Sequence, residues 1–447
     1  MIELENRAAL SAKFQELADF ILKTAKAKGA TAAEVGLDKG VGLSVEVRLG
    51  TVEKLQYHRD QGASVTVYFG HRKANASSSD LSRKALEDTV EAACSIARYT
   101  SEDEFNGLAD PELMAKEIVD LDLYHPWQLT ADQGIGLALQ AEQAAREYDC
   151  RIVNSEGANV DSYAGLGVYA NSHGFIGSSS STSHSLSCAV VGKEGDSMQR
   201  DYWYTTSCLP SQLDAAEAIG LKAAERTVRR LNGRGLSTRE VPVVYVPELA
   251  RGLLGHLVGA LSGSSQYRRA SFLLDSVGKQ VLPAFVLLQE KPHLPRQLGS
   301  RAFDAEGVAT QERQIIEDGK VQGYFLGSYS ARKLGLQTTG NAGGSSNLLL
   351  RDTGVSFNEL LQQMGTGLLL TELIGSGINM ITGDYSRGAA GFWVEQGEIQ
   401  YPVEEITIAG NLKQMYLGMQ AIGNDIDRRG KIQSGSILID RMTVAGQ

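Results

Sequence analysis

Apolar residues recur at three- and four-residue spacing over Leu10–Ala25, which predicts an opening helix that ends at Gly29. Apolar and polar residues then alternate within residues 40–70, a pattern typical of antiparallel strands. Asp80 is a suitable N-cap for the next helix, and Thr130–Tyr148 predicts a further one. The first part of the chain is therefore predicted to combine helices with strand hairpins.

Residues 151–208 predict a β-meander of short strands interrupted by Gly and Asn. The serine-rich tract Gly177–Ser187 lies within it, and its hydroxyl side chains favour a polar sheet face over a mobile loop. A helix is predicted over Ala215–Leu231. The stretch Asn232–Glu240 contains two Gly, one Ser, one Thr and three charges, so it is the best candidate for a linker between domains.

The chain after this stretch is more apolar at first. Four segments carry regular patterns, a strand followed by three helices in chain order: Val241–Val246, Pro247–Leu261, Phe357–Met364 and Leu412–Ile422. Helices and hairpins are interleaved without a βαβ rhythm, so we expect the α+β class, with mainly antiparallel or mixed sheets and flanking helices. Two domains are expected, over residues 1–232 and 240–447.

Composition and charge disfavour several classes of function and location. The formal net charge is −10, which disfavours general attraction to nucleic acid or to an anionic membrane. No stretch approaches 18 uninterrupted apolar residues, so no membrane-spanning helix is expected. The acidic start Met1–Glu5 lacks the apolar core of a secretory signal, and the four cysteines show no C-x-x-C pair. We therefore expect a cytoplasmic protein that contacts neither nucleic acid nor membrane directly.

Motifs for nucleotide binding and acyl-enzyme chemistry are missing from the sequence. It contains no G-x-x-x-x-G-K-[ST] phosphate loop, no complete G-x-G-x-x-G and no G-x-S-x-G elbow. None of the seven histidines are spaced as in H-E-x-x-H. His173 and His184 lie eleven residues apart and form a weak candidate metal pair. His256, on the apolar segment, fits a core histidine better than a ligand.

The segment Asp384–Arg387 places charged and hydroxyl residues directly before a run of Gly, Ala and aromatic residues. This pattern predicts a turn that enters a buried strand. The side chains of Asp384, Tyr385, Ser386 and Arg387 are therefore candidates for contact with a substrate or a partner. A purely structural turn is the simpler interpretation.

Four motifs in the second half resemble those of one peptidase family: Ser328–Gly335, Thr338–Ala342, Gly383–Glu395 and Tyr401–Leu412. They are similar to the PmbA (TldE) branch of the TldD/PmbA metallopeptidase family, and the order of helices and hairpins in the first half fits as well. The resemblance implies proteolysis by a heterodimer, in which the TldD-type subunit holds zinc with an H-E-x-x-x-H helix and a later cysteine. It implies as substrates peptides and small unfolded proteins, including peptide-antibiotic precursors and an antitoxin. The older family label is modulator of DNA gyrase.

The sequence departs from the family's catalytic pattern at the zinc helix. When Leu253–Ala260 is aligned with that helix, Gly255 and Ala260 stand where the two ligand histidines belong. His256 stands where the catalytic glutamate belongs, so no carboxylate is available there to take a proton from bound water.

Other zinc ligands are scarce as well. A hydrolytic zinc usually needs three protein ligands and an open water position. The predicted second domain offers only His256 and His293 as histidines, and no cysteine follows Cys208. We therefore expect no metal or cofactor in this chain, and zinc in the partner subunit.

Three functions stay open. The favoured one is a non-catalytic subunit that completes the peptide groove of a TldD-type partner, with a homodimer forming when that partner is absent. The second is an independent peptidase with a metal site built from carboxylates such as Asp304, Glu306, Glu404 and Glu405. The third is a binding protein for gyrase or for a gyrase-directed peptide.

Overall fold

The computed structural model describes Leu4 and residues 6–446, which contain nine α-helices. In chain order, α1 to α9 are Arg7–Ala27, Arg83–Tyr99, Ala131–Glu147, Ala216–Arg229, Pro247–Ala260, Gly263–Tyr267, Ser328–Leu334, Phe357–Met364 and Leu412–Leu417. None of them is long and apolar enough to cross a lipid bilayer.

Seventeen strands are present in the same part of the chain. β1 to β6 are Ala32–Arg48, Thr51–Phe69, Arg72–Ser78, Ile152–Asn171, Ile176–Glu194 and Ser197–Ser207. β7 to β12 are Arg239–Tyr245, Leu288–Glu290, Arg313–Glu317, Lys320–Val321, Leu348–Leu350 and Gly367–Ile374. β13 to β17 are Asp384–Glu395, Glu398–Asn411, Met419–Ile422, Ile432–Gln433 and Ile437–Ala445.

The first six strands form one sheet in the order β3-β2-β1-β4-β5-β6, with antiparallel pairing throughout. Alternate residues of β1 face one side of this sheet, where the four helices of the first half pack. Val35 and Leu37 contact the layer of α1 and α2, whereas Leu43 and Val45 contact the layer of α3 and α4. The alternating pattern of residues 40–70 is thus confirmed as antiparallel strand pairing, and the opening helix is present as α1.

The predicted meander is present, but its strands are long, with 20 residues in β4 and 19 in β5. Glycines do not interrupt the strands of this sheet, and Gly40 of β1 and Gly165 of β4 make room for the ring of Tyr163. A Cβ at Gly40 would lie 1.8 Å from the hydroxyl oxygen of Tyr163. The serine-rich tract pairs with β4 from Gly177 to Ser187, so the sheet-face interpretation is confirmed.

Two predicted helix starts have different outcomes. Asp80 is not the N-cap of α2; the Ser82 side chain accepts the N–H of Ala85 and caps the helix instead. Asp80 accepts the N–H of Ser82 at 2.8 Å, one step earlier in the turn. Both residue types cap helices, so the sequence alone does not choose between near neighbours. α3 begins after Thr130, as predicted, with a capping box that includes Gln133.

The second half contains a six-stranded sheet in the order β14-β13-β12-β7-β17-β15 and a five-stranded sheet in the order β10-β9-β8-β11-β16. β7 pairs in parallel with β12 and antiparallel with β17. α5 covers the six-stranded sheet, where Leu253, Leu254 and Leu257 share a buried core with Tyr245 of β7. The predicted α+β class, with antiparallel and mixed sheets, is confirmed.

The predicted helix over Leu412–Ile422 is only half correct. α9 ends at Leu417, and the following four residues form β15. A Cβ at Gly418 would lie 2.2 Å from a carboxylate oxygen of Asp440, so the chain passes closest to β17 at a glycine. Strand pairing between Met419 and Ile439 then replaces the helix.

Residues 232–238 connect the two halves without helix or strand. Leu236 is only 4% exposed and belongs to the core of the second half. Arg234 forms an isolated bridge with Val403, so the connection is bound along its length. A domain boundary within Asn232–Glu240 stays a prediction.

Candidate functional site

α5 carries the three positions that the resemblance assigns to zinc chemistry. Pro247 stands in the first turn of the helix, where its missing N–H costs no hydrogen bond. Gly255 and His256 are half-buried, whereas Ala260 has no exposed surface. A Cβ built at Gly255 would meet no atom within 4 Å, so close packing does not require a glycine at this position.

His256 packs edge-on against Tyr385 of β13, with the ring centroids 6.2 Å apart. Burial lowers the pKa of His256, and the positive charge of Arg387 lowers it further. The imidazole is therefore neutral near pH 7. It does not supply the negative charge that the resemblance implies for this position.

The candidate segment Asp384–Arg387 forms the start of β13, and the predicted turn is wrong at these residues. Because side chains alternate along a strand, they fall into two pairs on opposite faces. Tyr385 is 2% exposed in the core beneath α5, and Arg387 lies on the same face. Asp384 and Ser386 are exposed on the other face. The turn lies earlier, in residues 375–383, so the four side chains do not form one group.

Asp384 is held by hydrogen bonds within its own loop. The Thr382 hydroxyl donates to its carboxylate at 2.6 Å, and the Asn411 side-chain amide donates at 3.1 Å. These bonds hold the pKa of Asp384 below its usual value. The carboxylate therefore joins the turn to the end of β14.

A shallow cavity of about 650 Å³ lies where the turn meets β13. It is lined by residues 376–381 and by Asp384, Tyr385 and Ser386. The turn also covers the last part of α5, since a Cβ at Gly259 would lie 3.3 Å from the terminal methyl of Met380. The cavity therefore lies beside α5, the helix that the resemblance aligns with the zinc motif.

The residues of this region do not fit a zinc ion. Gly255 and Ala260 offer no donor atom, and no cysteine follows Cys208. Among Leu4 and residues 6–446, no group of three or more His, Cys, Asp and Glu side chains is arranged to hold a metal. A water-activating zinc therefore has no ligand set in the described part of this chain.

The alternative carboxylate site is not formed. Asp304 is 2% exposed, and its two oxygens accept three N–H groups of the surrounding backbone. Glu306 accepts the N–H of Ser328 at 2.8 Å. Glu404 accepts a hydrogen bond from the first half of the chain, and Glu405 is exposed. The hypothesis of an independent peptidase built on these four carboxylates is therefore contradicted.

His173 and His184 of the meander have hydrogen-bond partners within the chain. Nδ1 of His173 lies 3.0 Å from the carbonyl oxygen of Ala109. Nε2 of His184 lies 2.9 Å from the carbonyl oxygen of His125, and its Nδ1 lies 2.9 Å from the hydroxyl of Ser162. Burial lowers the pKa of His184, so it is a neutral core histidine. The weak candidate for a shared metal is therefore wrong.

Sequence reasoning did not join His256 to Tyr385 and Arg387, because α5 and β13 are far apart in the chain. One signal was available. Period-two alternation from residue 384 onwards puts Tyr385 and Arg387 on one face of a strand. The position of α5 above that face follows only from the folded sheet.

Comparison with known proteins gives three family-model matches in chain order. They are the PmbA/TldA metallopeptidase domain 1 over residues 33–97, the central domain over 124–231 and the C-terminal domain over 238–446. Metalloprotease PmbA of Escherichia coli O157:H7 is 52% identical over 415 residues, which cover 93% of this chain and 92% of that protein. A metalloprotease PmbA homolog of Haemophilus influenzae is 50% identical over 444 residues, covering 98% of each chain.

Solved structures agree with these matches. A protein of Bacteroides thetaiotaomicron, named as a candidate modulator of DNA gyrase, superposes with a TM-score of 0.93 at 30% identity and covers 97% of this chain and 99% of its own. TldE of Thermococcus kodakarensis shares the fold, with a TM-score of 0.84 at 19% identity over 97% of this chain and 100% of its own. The expectation drawn from the four motifs is confirmed, and the chain belongs to the PmbA branch of the TldD/PmbA metallopeptidase family.

Proposed function

We propose that this chain is the non-catalytic subunit of a TldD/PmbA-type zinc peptidase complex, paired with a TldD-type subunit that holds the metal. The proposal is supported by the residues that stand at three positions of α5. Gly255 and Ala260 replace the two ligand histidines, and the neutral His256 replaces the general base. A hydrolytic zinc needs both the ligands and a group that accepts a proton from water.

The complex would hydrolyse peptides and small unfolded proteins in the cytoplasm, including peptide-antibiotic precursors and an antitoxin. In this arrangement the present chain stabilises its catalytic mate and completes the groove that holds substrate. Without the mate, two copies of the chain would form a homodimer.

The test is purification of the tagged chain from its native host, with mass-spectrometric identification of whatever co-purifies. Zinc is then measured in each separated subunit, and peptidase activity is assayed for the chain, the mate and the complex on an unfolded peptide. We expect a TldD-type partner, zinc in that partner alone, and activity that is lost when a ligand histidine of the partner is replaced.

The matched control is the isolated chain after incubation with zinc and dialysis. About one tightly held zinc per isolated chain, together with peptidase activity that a chelator abolishes, would overturn the proposal. Co-purification without any TldD-type protein would also count against it.

A further inference from the structure

Part of β2 lies at the edge of the first sheet without a strand on its outer side. β3 pairs with Ala63–Phe69 only, so the earlier part of β2 has β1 as its one neighbour among the described strands. The side chains of residues 51–57 are all exposed, whereas Val65 and Val67 of the same strand have no exposed surface. Burial thus changes where the pairing with β3 ends, and residues 51–61 form an open edge.

The backbone of the open edge directs hydrogen-bonding groups outwards. The carbonyl oxygen of Ala33 accepts the N–H of Ser172 at 2.8 Å, so odd-numbered residues of β1 direct their backbone groups to β4. Even-numbered residues of β1 therefore bond β2, and the register pairs them with even-numbered residues of β2. The N–H and C=O groups of Leu55, Tyr57 and Arg59 thus face the side where a further strand would lie.

Apolar side chains of the open edge continue the row that the helices cover. Leu55 and Tyr57 lie opposite Val45 and Leu43 of β1, so all four share one face of the sheet. Val45 and Leu43 are 1% exposed beneath α3 and α4, whereas Leu55 is 46% and Tyr57 58% exposed. The helix layer therefore stops one strand short of the edge. An open strand edge with exposed apolar residues is a surface to which another strand can add.

We propose that the open edge joins two copies of this chain, with β2 of one copy antiparallel to β2 of the other about a two-fold axis at Gln56. In this register Leu55 of each copy lies opposite Tyr57 of the other, and Glu53 lies opposite Arg59. The inference assigns a surface to the homodimer of the proposed function, on which it rests, and the metal chemistry plays no part in it.

The charges of the open edge complement each other in this register. Arg59 is exposed and forms no ion pair within the described part of the chain. Glu53 has one contact, with Arg48 at 3.6 Å, and both of these side chains are exposed. Since the axis is two-fold, the ion pair and the contact between leucine and tyrosine each form twice. A partner strand of unrelated sequence would supply the backbone bonds but not these matched side chains.

Neighbouring registers lack one of these features. Registers in which the outward-facing backbone groups still meet differ by two residues in their pairing. With the axis at Tyr57, Thr51 would lie opposite Ala63, where β3 already pairs. With the axis at Leu55, Arg59 would lie opposite Thr51 and lose its carboxylate. The proposed register avoids both faults.

The first experiment is a disulfide trap at the axis. In the full-length chain the exposed Cys150 is replaced by serine, and Gln56→Cys is added; the other three cysteines are buried. Directly opposite residues at this kind of position have Cα atoms about 4.5 Å apart, which suits a disulfide. We expect a covalent dimer after mild oxidation. Met198→Cys in the same background is the matched control, because Met198 is 58% exposed on β6 at the opposite edge of the sheet, and it should stay monomeric.

The second experiment measures dimerisation of the chain by sedimentation equilibrium over a range of concentrations. A strand pair buries less surface than a permanent dimer needs, so a monomer–dimer equilibrium is expected. Arg59→Glu should weaken dimerisation about tenfold, because two symmetry-related ion pairs change from attraction to repulsion. Adding Glu53→Arg to that variant should regain part of the affinity. Arg441→Glu, at an arginine with a side chain 69% exposed in the second half, should leave it unchanged.

Three results would overturn the inference. They are a wild-type chain that stays monomeric up to its solubility limit, a dimer whose affinity Arg59→Glu leaves unchanged, and equal cross-linking through Gln56→Cys and Met198→Cys. A chain that binds only a TldD-type partner would give the first of these results. It would refute the proposed surface and leave the non-catalytic role intact, since neither experiment depends on zinc or on peptidase activity.

Discussion

The guanidinium of Arg429 lies 4.0 Å from the ring centroid of Trp203, although the two residues belong to opposite halves of the chain. Arg429 also donates to the carbonyl oxygen of Tyr204 at 2.9 Å. Its Nε donates to Asp427, whose side chain is only 5% exposed. One arginine thus links β6 of the first sheet to the end region of the second half.

Arg429→Ala should lower the free energy of unfolding by about 2–4 kcal/mol, because it removes the cation–π contact and leaves a buried carboxylate with fewer partners. Arg251, 3.5 Å from Asp427, would remain as a weaker partner. The measurement is urea unfolding followed by circular dichroism. Arg428→Ala is the control, since Arg428 is exposed and should change stability by less than about 0.5 kcal/mol.

The same pair predicts a pH dependence. Burial opposes ionisation of Asp427, but the hydrogen bonds from Arg429 outweigh it and hold the pKa of Asp427 below 3.8. A carboxyl group with a lowered folded-state pKa stabilises the fold above pH 3.8, and this contribution is lost as the pH falls through the folded-state value. The stability difference between wild type and Arg429→Ala should therefore shrink below pH 3.8. A difference that stays constant down to about pH 2 would contradict this assignment.

Asp304 should show the opposite dependence. Burial raises its pKa from 3.8 to about 6, despite three hydrogen bonds from backbone N–H groups. Such a group contributes stability that is fully present below pH 3.8 and is lost as the pH rises through about 6. The free energy of unfolding of the wild type, relative to Asp304→Asn, should fall by about 3 kcal/mol between pH 4 and pH 7. Urea unfolding of both proteins across this range is the check, and parallel pH curves would disprove the assignment.

Glu142 of α3 hydrogen-bonds the turn of the first hairpin. Glu142 is only 1% exposed. Its carboxylate accepts the N–H of Leu49 at 2.7 Å and that of Gly50 at 2.8 Å. Glu142→Gln would turn an NH₂ group towards one of these N–H donors. We expect a loss of about 1–3 kcal/mol in unfolding free energy, with Glu147→Gln on the exposed face of the same helix as a neutral control.

Two substitutions on α5 should change the free energy of unfolding in opposite directions. Gly255→Ala fills open space in a helix interior and should stabilise the chain by about 0.5–1 kcal/mol. Ala260→His places an imidazole where no surface is exposed and should destabilise it by about 1–3 kcal/mol. Thermal unfolding of the two single variants tests both expectations. If Ala260→His were neutral, the pocket for a ligand histidine would still be intact.

A variant with Gly255→His, His256→Glu and Ala260→His is therefore expected to fold less stably and to remain inactive. It would regain two imidazoles and a carboxylate, but no thiolate ligand follows Cys208. The groups that orient the imidazoles would also be missing, and such losses cost about 10–100-fold in affinity or activity. Robust peptide hydrolysis by the purified variant with added zinc would show that the scaffold of the site is intact.

Hydrophobic periodicity predicted most helices because each of them buries one face against a sheet. α8 matches the predicted bounds Phe357–Met364, and the buried helix after Pro247 is present as α5. The pattern failed where a distant contact decides the structure. Gly418 ends α9 because the chain passes next to Asp440, and Gly40, Gly42 and Gly165 lie against the ring of Tyr163.

In the candidate site, too, the sequence predicted what depends on neighbouring residues and missed what depends on distant contacts. The resemblance assigned Gly255, His256 and Ala260 to an altered zinc helix because the motif lies within one helix, and this assignment stays a prediction. The sequence pattern did not separate Tyr385 and Arg387 from their exposed neighbours, because a turn was expected where β13 begins. The contact between Tyr385 of β13 and His256 of α5 depends on how the helix packs on the sheet, and no local pattern carries that information.

The position of β17 has a consequence for how the protein is made. β17 is the neighbour of β7, and Ile437 pairs with Tyr245, which precedes it by 192 residues. At about 5–20 residues per second, β7 is synthesised roughly 10–40 s before its partner strand. During that interval one side of β7 has no strand to pair with, and the leucines of α5 lack part of their buried core. The second half therefore completes its folding only after synthesis passes Ala445, and the nascent chain is expected to be a substrate for chaperones until then.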